Sequence, residues 1–396
     1  MTRLWDKGTP LDERVLAYTA GDDYLLDNRL VEYDVRASIA HAEMLQQQGL
    51  LGAADGAAIR NALTAIGAEH ALGEWTISLE QEDSQTAIEN LLTAKIGATG
   101  GRLHAGRSRN DQVLAALRLY LRDAVQALKA GALSVADALE ALAVRDGAID
   151  LPGYTHMQQA MPSTVALWAR GFAAEIRDDA DGLEATQRRI GKNPLGSAAG
   201  YGTPNLDISR ESTRRSLGFA AIHEPVTAVQ LSRGKAESQL LLEITLLTQD
   251  TGRLAADLLL FYTQEYGFVS LPADFTTGSS IMPQKRNPDV FELIRGRSAV
   301  AKAALNEVLD ITHKLTSGYH RDLQLIKPPL FRGIDSCLQT LDILPSALAG
   351  VRFNPINIRL DPSIHAAAAA NALVTQENMP FREAYQQVAA NLKDPP

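Results

Sequence analysis

The chain has 396 residues, of which 45% are hydrophobic and 21% are charged, and this composition excludes an intrinsically disordered protein. A formal charge of −9, with no basic block along the chain, argues against nucleic acid as a partner. The single cysteine, Cys337, excludes an internal disulfide, and the opening residues lack the apolar run of a secretion signal. We therefore expect a cytoplasmic protein.

Apolar residues recur at helical spacing along most of the chain, first over 30–49 and 54–72. Five longer helices are predicted over 112–144, 163–190, 231–266, 289–315 and 323–348. The most apolar stretch, 240–262, carries several charged residues and predicts a buried helix rather than a membrane span. Long helices with few strands predict an all-α fold with an elongated central bundle.

The predicted elements suggest three domains. Residues 1–111 form a mostly helical N-terminal domain, 112–352 form the central long-helix bundle, and 353–396 form a small helical tail. Wide apolar stripes on such long helices would be buried against further copies of the chain, so a homo-oligomer is expected.

A polar cluster, HAGRSRNDQ at 104–112, directly precedes the first long helix. Free N–H groups at a helix N-terminus suit an anion, and paired arginines such as Arg107 and Arg109 can hold a carboxylate by two parallel bonds. A plainer interpretation is that Asn110 or Asp111 caps the helix while the arginines are solvated. The density of polar types favours a binding role, and a dicarboxylate would fit.

A second polar stretch, LPGYTHMQQAMP at 151–162, is interpreted as a loop bracketed by prolines. A lone histidine is more often a surface or core residue than a catalyst. His156 is nevertheless a catalytic candidate, because Thr155 and Gln158 flank it in this loop.

The third stretch, TGSSIMPQKRNP at 277–288, has no helical or strand period and lies between two long helical patterns. Pro283 and Pro288 exclude a continuous helix, and Gly278 is expected to supply backbone geometry closed to other residues. Paired serines precede Lys285 and an asparagine. We interpret the stretch as a catalytic lid; an ordinary polar connection between helices is the alternative.

These three stretches occur in the order typical of the fumarase/aspartase superfamily, which the sequence resembles over nearly its whole length. GSSIMPQKRNP resembles the superfamily signature, and GYTHMQ resembles its second element. Within the superfamily the chain resembles the argininosuccinate lyase branch, through Leu4-Trp5, 104–112 and YHRDLQ with Lys327 after it. The tail is short for this family, so a reduced C-terminal domain is expected.

The resemblance implies elimination of fumarate from argininosuccinate with release of arginine, with no metal or organic cofactor. It also implies a homotetramer with a central twenty-helix bundle, in which three subunits contribute to each site. Ser279 would be the base, Lys285 would stabilise the doubly charged intermediate, and Glu292 would orient His156, the candidate acid. Substrate contacts are implied for Ser108, Arg109, Asn110, Thr155, Gln158 and Asn287, and at the arginine end for Tyr319, Gln324 and Lys327.

The sequence departs from this family at the amino-acid end of the substrate. Gln85 stands where many relatives have histidine, and Ser232 and Gly234 flank Arg233 where relatives usually carry acids. Three alternatives therefore stay open: adenylosuccinate lyase, some other fumarate-releasing lyase of the superfamily, or a non-catalytic structural oligomer.

Overall fold

The computed structural model describes residues 12–392, which are mainly helical. The α-helices are α1 (Glu13–Ala20), α2 (Asp23–Leu26), α3 (Val31–Gln47), α4 (Ala53–Ala71), α5 (Ser84–Ile96), α6 (Ala98–Gly101), α7 (Arg109–Asp146), α8 (Val165–Ala185), α9 (Gln187–Ile190), α10 (Arg210–Ser216), α11 (Ala228–Leu231), α12 (Lys235–Tyr262), α13 (Asp289–Thr312), α14 (Lys327–Gly350), α15 (Ala366–Glu377) and α16 (Phe381–Asn391).

Within residues 12–392, short strands pair into three two-stranded sheets. The strands are β1 (Asp150–Thr155), β2 (Gln158–Thr164), β3 (Lys192–Asn193), β4 (Ala221–Ile222), β5 (Val269–Ser270) and β6 (Arg352–Phe353). β1–β2 and β5–β6 are antiparallel, whereas β3–β4 is parallel. The predicted all-α class and the five long helices are confirmed. The Leu4-Trp5 pair lies outside the described residues.

The chain divides into two compact units, and the cuts between them fall inside the five long helices α7, α8, α12, α13 and α14. The first unit comprises residues 1–129, 182–244 and 300–336, and the second comprises 130–181, 245–299 and 337–396. The predicted three-domain division stays a prediction. In the described part of the chain, no helix is long and apolar enough to cross a bilayer.

The main core of the first unit lies between α3, α4 and α5. Val35, Met44, Leu63 and Leu92 are among its buried residues, and their helical spacing is what predicted these elements. Full burial of each such side chain stabilises the fold by about 1.5–3 kcal/mol. This core supports the turn before α7, where the first polar cluster lies.

An aromatic cluster lies in the core of the second unit. Trp168 on α8 packs against Phe172, Phe261 on α12 and Phe353 on β6, with ring centroids 5.6, 5.7 and 5.8 Å from its own. The indole Nε1 of this half-buried ring donates to Asp257 Oδ2 at 2.9 Å, so its polar atom is satisfied. The cluster fixes the elements that flank the β1–β2 hairpin.

The prediction of an irregular loop at 151–162 is wrong, because this stretch forms the β1–β2 hairpin. Pro152 and Pro162 lie directly opposite each other in its register. A two-stranded ribbon tolerates both prolines, since each strand has an outer edge that needs no N–H donor. As a consequence, α8 begins at Val165 rather than at 163.

Candidate active site

The first polar cluster builds the start of α7. Ser108 Oγ accepts the Asn110 N–H at 3.3 Å, while Asp111 Oδ1 accepts the Ser108 N–H at 3.0 Å, in the reciprocal pattern of a capping box. The other carboxylate oxygen, Oδ2, accepts the N–H groups of Gly196 at 3.0 Å and Ala198 at 2.8 Å. Burial raises the pKa of Asp111 to about 6, although these N–H donors oppose the shift. We call these contacts the Asp111 clasp.

Neither arginine of the cluster is simply solvated. Arg107 is buried and its Nη1 donates to Ser38 Oγ at 2.8 Å. Arg109 is half-buried; its Nε lies 2.9 Å from Asp83 Oδ2, and its Nη2 donates to Thr86 Oγ1 at 2.8 Å. Arg109 is therefore held at a fixed position by α5 and the residues just before it.

Arg109 opens onto a cavity of about 200 Å³ in the first unit. Five residues expected at the site line it together, namely Arg109, Asn110, Tyr319, Gln324 and Lys327. The rest of its lining is Ala20, Asp23, Asp27, Glu82, Asp83, Gln85, Val113, Arg233 and Arg321. Four carboxylates thus face four cationic side chains, which suits a zwitterionic ligand.

Lys327, the first residue of α14, is one of the four cations that line this cavity. Its Nζ lies 2.6 Å from Asp27 Oδ1 and 2.9 Å from Asp23 Oδ1, and all three side chains are largely withdrawn from solvent. Burial opposes charge on Lys327, but the carboxylates of Asp27 and Asp23 outweigh it and raise the pKa of the ammonium. Burial also opposes charge on Asp23 and raises the pKa of its carboxyl group to about 7, although the Lys327 ammonium favours the charged form.

Arg233 also lines the cavity, and its contacts make it a site residue that the sequence did not identify as one. Its guanidinium carbon lies 6.0 Å from the centroid of the Tyr319 ring. Nε and Nη1 of this buried arginine have no hydrogen-bond partner among the described residues. Gln85, one of the departures from the family, lines the cavity and donates to Asp34 Oδ2 at 2.6 Å.

The lid stretch is closed at its base by a β-bridge. The Thr277 N–H donates to the Asn287 carbonyl at 3.1 Å, and the Asn287 N–H donates back to the Thr277 carbonyl at 2.8 Å. The Asn287 side chain donates to the Gly278 carbonyl at 3.2 Å. The side chain expected to hold a substrate carboxylate therefore braces the loop in this structure.

Inside the loop, two backbone donors converge on the candidate base. The N–H groups of Met282 and Ile281 lie 3.2 and 3.4 Å from Ser279 Oγ. Such donors favour a negatively charged oxygen over a neutral hydroxyl. The expectation for Gly278 is wrong: its φ lies outside the left-handed region, and an added Cβ would meet no atom within 4 Å.

Lys285 and Glu292 are exposed and line an open groove of about 500 Å³ in the second unit, together with Asn287, Tyr262 and Arg295. The Tyr262 hydroxyl donates to the Arg286 carbonyl at 3.3 Å and ties the loop to α12. The groove thus brings together three of the residues expected at the site.

The β1–β2 hairpin turns on His156 and Met157, whose φ values are +52° and +61°. Thr155 and Gln158 pair on either side, so this is a two-residue type I′ turn, which normally takes Asn-Gly. Positive φ at two non-glycine residues is strained. The neighbouring Gln159 holds the turn in place: it donates to the Arg359 carbonyl at 2.9 Å and accepts the Asp361 N–H at 2.8 Å.

The expected site residues divide between the two units. Ser108 and the five cavity residues belong to the first unit, and the remaining seven belong to the second. No hydrogen bond or ion pair joins His156 to Glu292 within residues 12–392. Thr155, His156 and Gln158 are all exposed at the hairpin tip. The proposed orientation of His156 by Glu292 stays a prediction.

The chain resembles known lyases in sequence and in fold. A family model described as Lyase matches residues 10–302. The argininosuccinate lyases of Sorangium cellulosum and Stenotrophomonas maltophilia are 45% and 41% identical over 98% of this chain and 90% of each relative. The fold is similar to that of EDDS lyase in complex with formate, with a TM-score of 0.81 and 24% identity, covering 96% of this chain and 76% of that one.

Proposed function

The chain belongs to the argininosuccinate lyase family, and we propose that it catalyses the reversible elimination of fumarate from argininosuccinate, releasing arginine. The observation that carries the proposal is the cavity with balanced charge beside Arg109, on a chain 45% identical to an argininosuccinate lyase. Argininosuccinate combines carboxylates, an α-ammonium and a guanidinium. Its arginine end needs both anionic and cationic partners, and this cavity supplies both.

The chemical difficulty of this reaction is a weakly acidic Cβ proton. Its removal places a second negative charge on the adjacent carboxylate, so the site must supply a base and a cationic cradle. Ser279 is the proposed base, acting as an alkoxide. The convergence of two backbone N–H groups on its Oγ supports this role, because they stabilise the anionic form. Exclusion of water by lid closure would strengthen the effect.

Lys285 and Asn287 are proposed to bind the carboxylate that gains charge. The exposed Lys285 ammonium is available for this, while Asn287 would exchange its contact with Gly278 for the substrate. His156, or a water that it holds, would protonate the departing guanidine nitrogen. The strained turn that carries His156 supports a functional role, since strain of this kind is concentrated at active sites.

We propose a cytoplasmic homotetramer in which three subunits contribute to each site. Seven of the expected residues lie on the hairpin, the lid and α13, and five of them are exposed in the single chain. A site that must exclude water would need these side chains to be covered, and a further subunit can cover them. Sedimentation as a monomer at micromolar concentration would contradict this assembly.

The test is turnover of argininosuccinate by the purified protein, with fumarate followed by absorbance and arginine identified by mass in the same sample. Both products should appear together. Ser279→Ala should abolish turnover while substrate still binds, and the adjacent Ser280→Ala serves as the matched control. Fumarate release from adenylosuccinate but not from argininosuccinate would overturn the substrate assignment. Near-normal turnover by Ser279→Ala would overturn only the role of the base.

A further inference from the structure

A second cavity of about 290 Å³ lies in the first unit and shares none of the lining residues of the cavity beside Arg109. We call the cavity beside Arg109 the catalytic cavity, because the proposed reaction places the arginine end of the substrate there. The second cavity is lined by Arg118, Arg189, Lys192, His223, Ala228, Leu231, Ser232, Lys235 and Ala236. The lining thus contains four cationic side chains, the buried Arg118 with Arg189, Lys192 and Lys235, and no carboxylate among the described residues. We call this second cavity the basic cavity. The reaction proposed above makes no use of it.

Arg118 is the buried element of this cavity, with 2% of its surface exposed. Its Nη1 donates to the Lys192 carbonyl and, at 3.0 Å, to His223 Nδ1, while its Nη2 donates to Ser232 Oγ at 2.8 Å. Its Nε has no hydrogen-bond partner among the described residues. A buried donor on a charged group without an acceptor is costly, and an anionic oxygen bound beside Nε would remove that cost.

His223 offers a second donor. Because arginine can only donate, His223 Nδ1 accepts from Arg118, and the ring proton then belongs on Nε2. Burial and the surrounding cations Arg118, Lys192 and Lys235 lower the pKa of His223 to about 3, so the ring stays neutral. The neutral ring presents its Nε2–H without adding a further charge.

Helix α12 adds a third contribution, because its first residues, Lys235 and Ala236, line the basic cavity. The Lys235 N–H already donates to the Ser232 carbonyl at 3.0 Å, whereas the Ala236 N–H has no backbone acceptor among the described residues. A free N–H group at a helix N-terminus favours an anion. The buried Glu237, one residue further along α12, attracts Arg118. No carboxylate lines the basic cavity within the described part of the chain, so the cations of Arg118, Arg189, Lys192 and Lys235 outnumber this counter-charge.

We propose that the basic cavity binds a phosphate group, either as free phosphate or as the phosphate of a small monoester. A tetrahedral oxyanion with several acceptor oxygens matches the convergence of a buried guanidinium, an imidazole N–H, flexible ammonium groups and a helix N-terminus. Arg233 follows Ser232 directly, lines the catalytic cavity and repels Arg118. An anion at Arg118 would therefore also change the electrostatic environment of the catalytic cavity.

The test is calorimetric titration of the full chain with inorganic phosphate, at an ionic strength held constant with sodium chloride. We expect saturable binding that the double variant Arg189→Gln, Lys235→Gln weakens by about tenfold or more, because it removes two charged donors. Both residues are exposed, so the fold should tolerate the change. The matched control is Arg188→Gln, which neutralises the exposed neighbour of Arg189 outside the cavity and should leave the affinity unchanged.

Glycerol phosphate distinguishes the two sources of the ligand, since tighter binding than phosphate assigns the site to a monoester and weaker binding assigns it to free phosphate. Either result supports the site only if the double variant Arg189→Gln, Lys235→Gln no longer binds the ligand. The proposal is overturned if phosphate does not bind saturably, or if Arg188→Gln lowers the phosphate affinity as much as the double variant does. Loss in Arg109→Gln with retention in the double variant would place the phosphate in the catalytic cavity and also overturn it.

Discussion

The type I′ turn at the hairpin tip predicts that Met157→Gly stabilises the protein. Left-handed backbone costs an L-residue about 1–2 kcal/mol, and glycine escapes that cost. Glycine also loses more chain entropy on folding, by about 0.5–1 kcal/mol. Met157 is 63% exposed, so its removal sacrifices little burial. The difference predicts a net gain of about 0.5–1 kcal/mol in the free energy of unfolding.

The assay is chemical unfolding of wild type and variant at equal protein concentration, with turnover measured in parallel. Met161→Gly is the matched control, since Met161 lies exposed on β2 of the same hairpin with ordinary φ. It should lose about 0.5–1 kcal/mol. His156→Gly should gain stability as Met157→Gly does, yet lose turnover. If Met157→Gly destabilises the protein as much as Met161→Gly does, the strain argument is wrong.

Three further predictions concern buried groups. Lys327→Met should cost about 3–5 kcal/mol in urea unfolding at pH 8, because Asp23 and Asp27 lose the one cation that pairs with them within residues 12–392. Part of that loss should be recovered at pH 6, where these carboxyl groups take up protons more readily. Burial raises the pKa of Asp34 to about 6, above the unfolded value of about 3.9, so this group adds stability as pH falls from 6 to 4. Asp34→Asn should flatten that dependence, by at most about 1.4 kcal/mol per pH unit; an unchanged pH profile would contradict this assignment. Burial also raises the pKa of Cys337 to about 12, so a thiol reagent should modify it only as the protein unfolds, and rapid labelling of the native protein would argue against its burial.

The long helices were predictable because apolar residues repeat along them at helical spacing. The first and last residues of these helices were less predictable, since helix ends depend on local contacts. The start of α7 shows why: the sequence suggested Asn110 or Asp111 as the cap, whereas Ser108 precedes the helix and pairs with Asn110 and Asp111 inside it. The hairpin was missed because its turn carries His-Met, whereas the usual signal for a type I′ turn is Asn-Gly.

The candidate site was predictable where its residues lie in contiguous motifs. The acids of the catalytic cavity, such as Asp27 and Glu82, come from separate parts of the chain, and only folding places them beside Lys327 and Arg109. The burial of Lys327 was equally hidden, because a lysine before two prolines has no sequence pattern that marks it as internal. Arg233 was noticed only for its unusual neighbours, and its position in the cavity is a tertiary property.

The Asp111 clasp has a consequence for synthesis of the chain on the ribosome. Its Oδ1 contact is local, but its Oδ2 contacts join residues 85 and 87 positions apart. The turn holding Ser108 and Asn110 therefore leaves the ribosome well before Gly196 and Ala198 are made. Before Gly196 and Ala198 are synthesised, α7 can form with its local cap, while Asp111 Oδ2 is hydrated by water. The turn that carries the proposed substrate contacts should consequently reach its final rigidity late, and nascent chains ending before Ala198 should be cleaved by protease near it.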